Sequence, residues 1–439
     1  MLKRWKYSLG AIVVLLLTGV SAFGQTTGTY SGYSPYSTYG IGDIRMSGNA
    51  RNRGMGGVGI ASRNNRFVNT LNPAAVTARD TLSFMADIGM DGKISVFTQN
   101  STKSSKTVLN ISEFVLSFPV WKSTAFMVGI TPYSNMGYNF TKSETSLDKI
   151  GHMGSEETIN VYGNGSIYEL FAAGGVTFWK RLSLGAEFIY YFGNLGKHSD
   201  ATFSSSSVSS HATGYELQVR SVTGKFGLQF EQPISKKLII GAGATYRLAT
   251  PLGGTMVKYA NKTIASSTSE FSRDTLRNNT GLKIADEWGV GLSLRSPDKF
   301  LIEVDYMHSD WRKSGLDAAD GFSTVGVSSF SAAVANSWRV GFEYTPAAND
   351  IRYYFKRCTY RVGAYFEESY YRVNGQPIIN MGVTIGATLP VFRGYNGITV
   401  GFEVGQRGRT AYNLVRERYF GFNVSFNIFD IWFQKPRYE

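Results

Sequence analysis

Near its C-terminus the chain reads RYFGFNVSFNIF, and alternate positions of that stretch separate into two kinds. Phe420, Phe422, Val424, Phe426 and Ile428 fall on one side, and Tyr419, Gly421, Asn423, Ser425 and Asn427 on the other. A period of two belongs to an extended strand, whose successive side chains point to opposite faces. One such strand suits a soluble sandwich as well as anything else, so repetition decides. Leu182, Leu184, Ala186 and Phe188 alternate with Ser183, Gly185 and Glu187; Trp338, Val340 and Phe342 with Arg339, Gly341 and Glu343; Ile379, Met381, Val383 and Ile385 with Asn380, Gly382 and Thr384. Charges keep to the polar side throughout. Counted from Asp80 onward, about fourteen such segments follow one another as hairpins, each with a charge-free face about 10 residues long, the length of a tilted membrane strand.

The connections support a membrane barrel. Short turns such as PVWKST, FWKR, QPISKK and SPDK alternate with long polar stretches at 204–214 and 253–279, and short on one side with long on the other is the outer-membrane arrangement. The 49 Gly, 26 Tyr and 29 Phe suit it too. Trp121, Trp179, Trp288, Trp311 and Trp432 fall near predicted strand ends, where an amphipathic ring fits the membrane interface. No helical stretch of any length is expected. The predicted fold class is therefore all-β: a transmembrane antiparallel barrel of about 14 strands with an N-terminal plug.

The N-terminus carries Lys3, Arg4 and Lys6, then an apolar run from Leu9 to Leu17 and the small-residue stretch TGVSAFG. That is the pattern of a signal peptide over 1–24, cut before Gln25, with no cysteine there for lipidation. The expected organisation is a leader at 1–24, a plug at 25–79 and a barrel at 80–439 in the outer membrane of a Gram-negative bacterium. The formal net charge of +13, which falls to +10 (13 minus 3) once the leader with Lys3, Arg4 and Lys6 is removed, points on an exported chain to anionic lipid head groups rather than nucleic acid. Cys358 is the one cysteine, which excludes an internal disulfide.

Gly54, Gly56 and Gly59 match G-x-G-x-x-G, with Gly57 inside the run. A dinucleotide site needs a strand before that motif and a helix after it. Here a Tyr/Ser/Gly-rich opening precedes it and NNRFVNTLNPAAV follows, so the glycines are expected instead to let a short segment fold compactly inside a confined lumen. A periplasmic lead-in without fixed structure is the alternative. Catalysis finds little support: of His152, His198, His211 and His308 three fall in predicted loops, and the side chains of His308 and Ser309 diverge on one strand. Neither a metal-ligand spacing nor a cofactor motif occurs, so no enzyme activity and no cofactor are expected.

RGMGGVGIASRNNRFVNTLNPAAV resembles the plug segment of the FadL/TodX outer-membrane transporters for long-chain fatty acids and aromatic hydrocarbons, with Asn72, Pro73 and Ala74 matching its Asn-Pro-Ala. SFPVWKSTAFMVGITPYSNMGYNF resembles that family's second and third strands, and SPDKFLIEVDYMHSDW its later hairpin, here Asp305 to Trp311. The C-terminal portion resembles a Bacteroidetes-type branch of FadL-like barrels. The resemblance implies a fourteen-stranded barrel whose plug closes the lumen, importing a hydrophobic small molecule and releasing it sideways through a gap at a kinked third strand. Pro132 is the residue for that kink, since proline removes a ladder hydrogen bond; the other reading is that it ends the strand. Lumen-facing Glu187, Arg247, Arg339, Arg361 and Glu403 are the residues for contacting a ligand carboxylate, or else they pair with one another. Bacteroidetes FadL-like barrels also resemble the shuttle protein of the type nine secretion system. A non-transporting subunit of an envelope machine, for secretion or for outer-membrane protein assembly, with protein partners, is therefore the alternative function.

Strand phase predicts that arginine is tolerated at Asn423 and not at Phe422 or Phe426. Turn asymmetry predicts orientation: an epitope tag within 204–214 is reached by antibody on intact cells and one at 235–237 is not, the reverse result overturning the assignment.

Overall fold

The computed structural model describes residues 30–81, 83–144, 157–204, 209–264, 267–277, 280–297, 299–318, 324–325, 328–391 and 396–431. The leader, Ser205 to Ser207, Ser266, Trp432 and the QKPRYE tail lie outside the described residues. Fourteen antiparallel strands form a closed ring: β1 (Ser83–Gln99), β2 (Thr102–Trp121), β3 (Thr124–Glu144), β4 (Glu157–Phe178), β5 (Leu182–Phe203), β6 (Ser210–Ser235), β7 (Leu238–Arg247), β8 (Glu287–Ser296), β9 (Phe300–Asp310), β10 (Val334–Tyr344), β11 (Thr359–Val373), β12 (Gln376–Pro390), β13 (Gly397–Arg407) and β14 (Arg416–Ile431). Each strand pairs with the next, and β1 closes on β14 from Ser83↔Ile431 to Thr98↔Arg416. Closure satisfies the backbone groups of the wall without help from water, which is what hydrocarbon demands.

Side-chain phase follows the alternation. Ile385, Val383, Val404, Phe420 and Phe426 are exposed on the outer face, and Thr384, Glu343, Asp305, Ser425 and Asn427 are buried on the inner one. Among the described residues no helix is long and apolar enough to cross a membrane; the crossing is made by strands. The α-helices among the described residues, Ala50–Arg53 and Tyr354–Arg357, are single turns, in keeping with an all-β chain.

Several details differ from expectation. Within the stretches at 204–214 and 253–279 the described residues include sheet: β6 begins at Ser210, and strands Gly254–Ile264 and Ser267–Arg277 form a hairpin that extends the sheet beside β6. At about 3.4 Å per residue, β4 to β6 run far past the roughly 25 Å apolar band, and in that overhang polar residues take the outer face while buried Leu195, Leu217 and Val219 lie on the inner one, so the contrast of a lipid-facing strand is missing. Trp311 is not at the interface. It is 2% exposed, at the start of a 3-10 turn, with its ring 4.7 Å from that of Tyr370. Pro132 does not end its strand, because β3 continues to Glu144.

The inner face is filled at Asn423, which is buried beside Gly401, so tolerance of arginine there is no longer expected. The phase test moves to better positions. Arginine at Ile385, 58% exposed in the middle of the outer face, is expected to cost about 2–4 kcal/mol of folding free energy in vesicles. Arginine at Ser369, which lines a cavity in the lumen beside Glu367 and Glu368, is expected to cost less than about 1 kcal/mol. Equal costs from denaturant titration would contradict the assigned phase.

Candidate functional site

Residues 31–79 make their contacts with the inner face of the ring. Their one α-helix, Ala50–Arg53, begins with a reciprocal cap: the Asn52 amide donates to the Asn49 side chain at 3.1 Å and the Asn49 amide to that of Asn52 at 3.3 Å. It stops at Gly54, and the chain turns through Gly56 and Gly57, at φ +73° and +82°. A Cβ on Gly56 would lie 2.7 Å from the Ala364 carbonyl oxygen and 2.8 Å from that of Val340, so both conformation and clearance call for glycine. Gly59 has ordinary φ, but a Cβ there would lie 2.4 Å from the Asn52 side-chain nitrogen.

Beyond the turn the segment has no regular structure to satisfy its own amides, and the wall does so instead. The Gly56 amide donates to the Thr384 hydroxyl at 2.8 Å. Those of Gly59 and Ile60 donate to one Asp305 oxygen at 2.8 and 3.0 Å, and those of Ala61 and Ser62 to one Glu303 oxygen at 2.7 and 2.9 Å. Gln229 donates to the Ile60 carbonyl at 2.8 Å. Asn72 caps the 3-10 turn Pro73–Ala78 by accepting from the Ala74 amide at 3.0 Å; its own amide donates to Ile60 at 2.8 Å and to the wall carbonyls of Leu228 and Ala244 at 3.2 and 3.4 Å. Pro73 starts that turn, and Ala74 is fully buried against Gly185.

Ion pairs complete the attachment. Glu343 on β10 receives Arg51 at 3.0 Å and Arg361 of β11 at 2.8 Å. Asp91 on β1 receives Arg53 at 2.9 Å and also pairs with Arg45. Of the charged residues singled out by phase, Arg339 donates to the Gly57 carbonyl at 3.1 Å and pairs with Glu367 at 2.7 Å, and Arg247 pairs with Glu287 at 3.4 Å. Glu187 is buried opposite Lys225 in the β5–β6 register, and Glu403 accepts from the Tyr365 hydroxyl. Arg247, Arg339 and Glu403 border the same cavity, whereas Glu187 and Arg361 are not on its walls. Apart from Glu187, the other four are bonded to the chain's own groups, and Glu187 keeps its Oε2 buried without a hydrogen bond. Arg51, Arg53, Asp91, Glu303, Asp305 and Glu343, which hold the segment, were not singled out from sequence. The signal available for the four carboxylates was their inward phase, shared by many residues that hold nothing. A cavity of about 290 Å³ remains, with charged Lys93, Glu287, Glu367 and Arg407 and apolar Ile44, Val108 and Trp311 on its walls.

A seam in the wall lies between β2 and β3. Pairing of β2 with β3 runs from Trp121↔Thr124 to Phe114↔Ile130 and stops there, just before Pro132, where the β3–β4 register also shifts. Above that point β3 pairs instead with the short strand Asp43–Ile44, through Asn135 and Ser134. Residues 31–34 cross between the separated strands: Asn110 of β2 and Asn135 of β3 both donate to the Ser31 carbonyl, the latter at 3.2 Å, while the Ser34 amide donates to Gly137 at 2.9 Å and the Tyr33 hydroxyl to Asn139 at 3.3 Å.

The family model BamG matches residues 1–439, the whole chain. The chain belongs to the BamG family. No curated protein matches this BamG-family chain in sequence. Its fold is similar to that of the Pseudomonas putida toluene transporter TodX, at 13% identity and TM-score 0.56 over 88% of this chain and 99% of that one. It is also similar to the Ralstonia pickettii toluene transporter TbuX (12%, 0.54, 86% and 97%) and to a Pseudomonas aeruginosa FadL homologue (10%, 0.54, 89% and 100%). The BamG-family barrel is thus FadL-like in fold, an outer-membrane architecture.

Removing Glu343 tests the attachment of residues 31–79. Glu343→Ala leaves Arg51 and Arg361 buried without their carboxylate, and a loss of about 3–5 kcal/mol is expected in denaturant titration of the refolded barrel. In the Arg51→Met, Arg361→Met background the same change is expected to cost less than half as much; an equal cost would show that the carboxylate does not act through the two arginines.

Proposed function

We propose that this protein is a sealed barrel of the outer membrane that serves as a non-transporting subunit of an envelope machine, with residues 31–79 as its plug. The observation that carries this reading is the seam between β2 and β3, where the two strands stop pairing past Phe114 and Ile130. The protein's own residues 31–34 and 43–44 lie across it, bonded to β2 or β3. The lumen supports the same reading. Its remaining space is bordered by charged side chains, and a greasy ligand there would strip water from those groups without replacing their hydrogen bonds. Membership of the BamG family weighs toward outer-membrane protein assembly as the machine.

A second reading is import of a hydrophobic small molecule of the fatty-acid or hydrocarbon type through a movable plug. The interruption of the β2–β3 ladder next to Pro132, in a fold shared with proteins titled toluene transporters, favours it. On that reading residues 31–34 swing aside and the ligand leaves into the bilayer.

Two measurements separate the readings. Proteoliposomes holding the full-length protein are expected to take up a fluorescent long-chain fatty acid no faster than empty vesicles, while native isolation from outer membranes yields protein partners in stoichiometric amount. Accelerated uptake by the purified barrel, with bound lipid and no partner, would establish import instead.

A further inference from the structure

The connection from β10 to β11, residues 345–358, differs from the other turns at its end of the barrel, which by the outer-membrane rule is the periplasmic end. Residues 122–123 and 236–237 suffice to join β2 to β3 and β6 to β7. This connection reads TPAANDIRYYFKRC and has a structure of its own. The Ala347 amide donates to the Lys356 carbonyl at 2.8 Å and closes its base. Asp350 accepts from the amides of Arg352 and Tyr353 at 2.8 and 2.7 Å, and donation by Tyr353 and Arg352 holds its carboxyl below the ordinary range. A single helical turn, Tyr354–Arg357, follows and ends on buried Cys358.

Two apolar side chains on this ordered turn touch almost nothing. Ile351 is 99% exposed and Phe355 74%. Two hydrogen bonds fix where they hang: the Tyr354 hydroxyl donates to the Pro390 carbonyl at the end of β12, and the Tyr360 hydroxyl to the Phe355 carbonyl, both at 3.0 Å. Tyr360 stands on the lipid-facing side of β11, in phase with exposed Val362 and Phe366. The turn is thereby held against the outer rim of the wall, continuous with the apolar belt, and not beneath the mouth of the lumen. Three cations stand on the same turn, Lys356 also pairing with Asp350 at 3.7 Å. Lys356 and Arg352 lie 4.5 and 5.4 Å from the Tyr353 ring centre and Arg357 lies 5.2 Å from that of Tyr354, against the single carboxylate of Asp350.

We propose that this turn is a lipid-docking foot: Ile351 and Phe355 enter the bilayer edge, and Arg352, Lys356 and Arg357 bind the phosphates of anionic phospholipid headgroups. The chemistry fits that occupant. Exposed apolar groups flanked by cations on tyrosine faces match the boundary between acyl chains and phosphate, where aromatic and basic side chains collect, and juxtamembrane cations gain most from an anionic leaflet.

The test uses the full chain with Cys358→Ala and Ile351→Cys, carrying an environment-sensitive fluorophore at position 351 and reconstituted in phosphatidylcholine vesicles with or without phosphatidylglycerol. The expected result is blue-shifted emission, quenching by spin-labelled lipid that is about twofold greater with phosphatidylglycerol, and loss of that difference when Arg352, Lys356 and Arg357 are replaced by glutamine. Water-like, unquenched emission in both vesicles would overturn the proposal and leave a protein surface as the occupant. Equal quenching in both would overturn the assignment of headgroup binding to the three cations. Labelling at Ser235, in the turn between β6 and β7, is the folding control, since a barrel that inserts gives the same signal there in every variant.

Discussion

The wall of this molecule is governed by one requirement: in hydrocarbon, each backbone N–H and C=O must find its partner within the protein. The β1–β14 ladder meets it by leaving no edge between the first and last strands. Closure then creates a second demand. An eight-stranded barrel has an interior that side chains from the wall just fill, and diameter grows with strand number, so fourteen strands enclose more space than their own side chains occupy. Amides of residues 31–79 meet inward-facing polar side chains of the strands, and the polar inner phase follows from having that backbone to satisfy.

That relation explains why wall and segment use such different residue types. A segment turning through Gly56 and Gly57 cannot bond to itself as a helix does, and its free amides meet carboxylates and hydroxyls held on rigid strands. Glu303 and Asp305, on successive inward positions of β9, take four consecutive amides from Gly59 to Ser62. Close approach makes the wall yield as well: a Cβ on Gly363 would lie 2.1 Å from the Met55 carbonyl carbon. The arginines have a different task. Arg51 and Arg361 converge on one buried carboxylate, an arrangement more valuable for fixing position than for net stability, because three desolvated charges recover little more than they lose.

Much of the fold was legible in sequence because the bilayer imposes a period-two contrast on every strand that crosses it. Phe420, Phe422, Phe426 and Ile428 against Asn423, Ser425 and Asn427 show it plainly, and enough such segments recur to specify the closed fourteen-stranded barrel. Where water replaces lipid the contrast fades, and the hairpin Gly254–Ile264 with Ser267–Arg277 read as loop. Trp311 misled for a related reason: an aromatic near a strand end suits the interface or a core equally, and only packing against Tyr370 decides. The attachments of residues 31–79 were least legible. Arg51 and Glu343 lie 292 positions apart, and phase places a side chain inside the barrel without naming what it meets.

The seam between β2 and β3 joins these threads. Past Phe114 and Ile130 the two strands no longer bond to each other, so each presents the kind of open edge that closure removes elsewhere. On β3 that edge is covered by Asp43–Ile44 and by the Ser34 amide, and on β2 the Asn110 side chain reaches the Ser31 carbonyl. The segment that meets the inward carboxylates is thus the same one that bonds to both strands of the seam. Withdrawing it strands backbone groups of β3 as well as buried carboxylates of β1, β9 and β10, and an unpartnered buried polar group costs about 1–3 kcal/mol. The partners of the segment on β3 and on β1, β9 and β10 would thus be lost together.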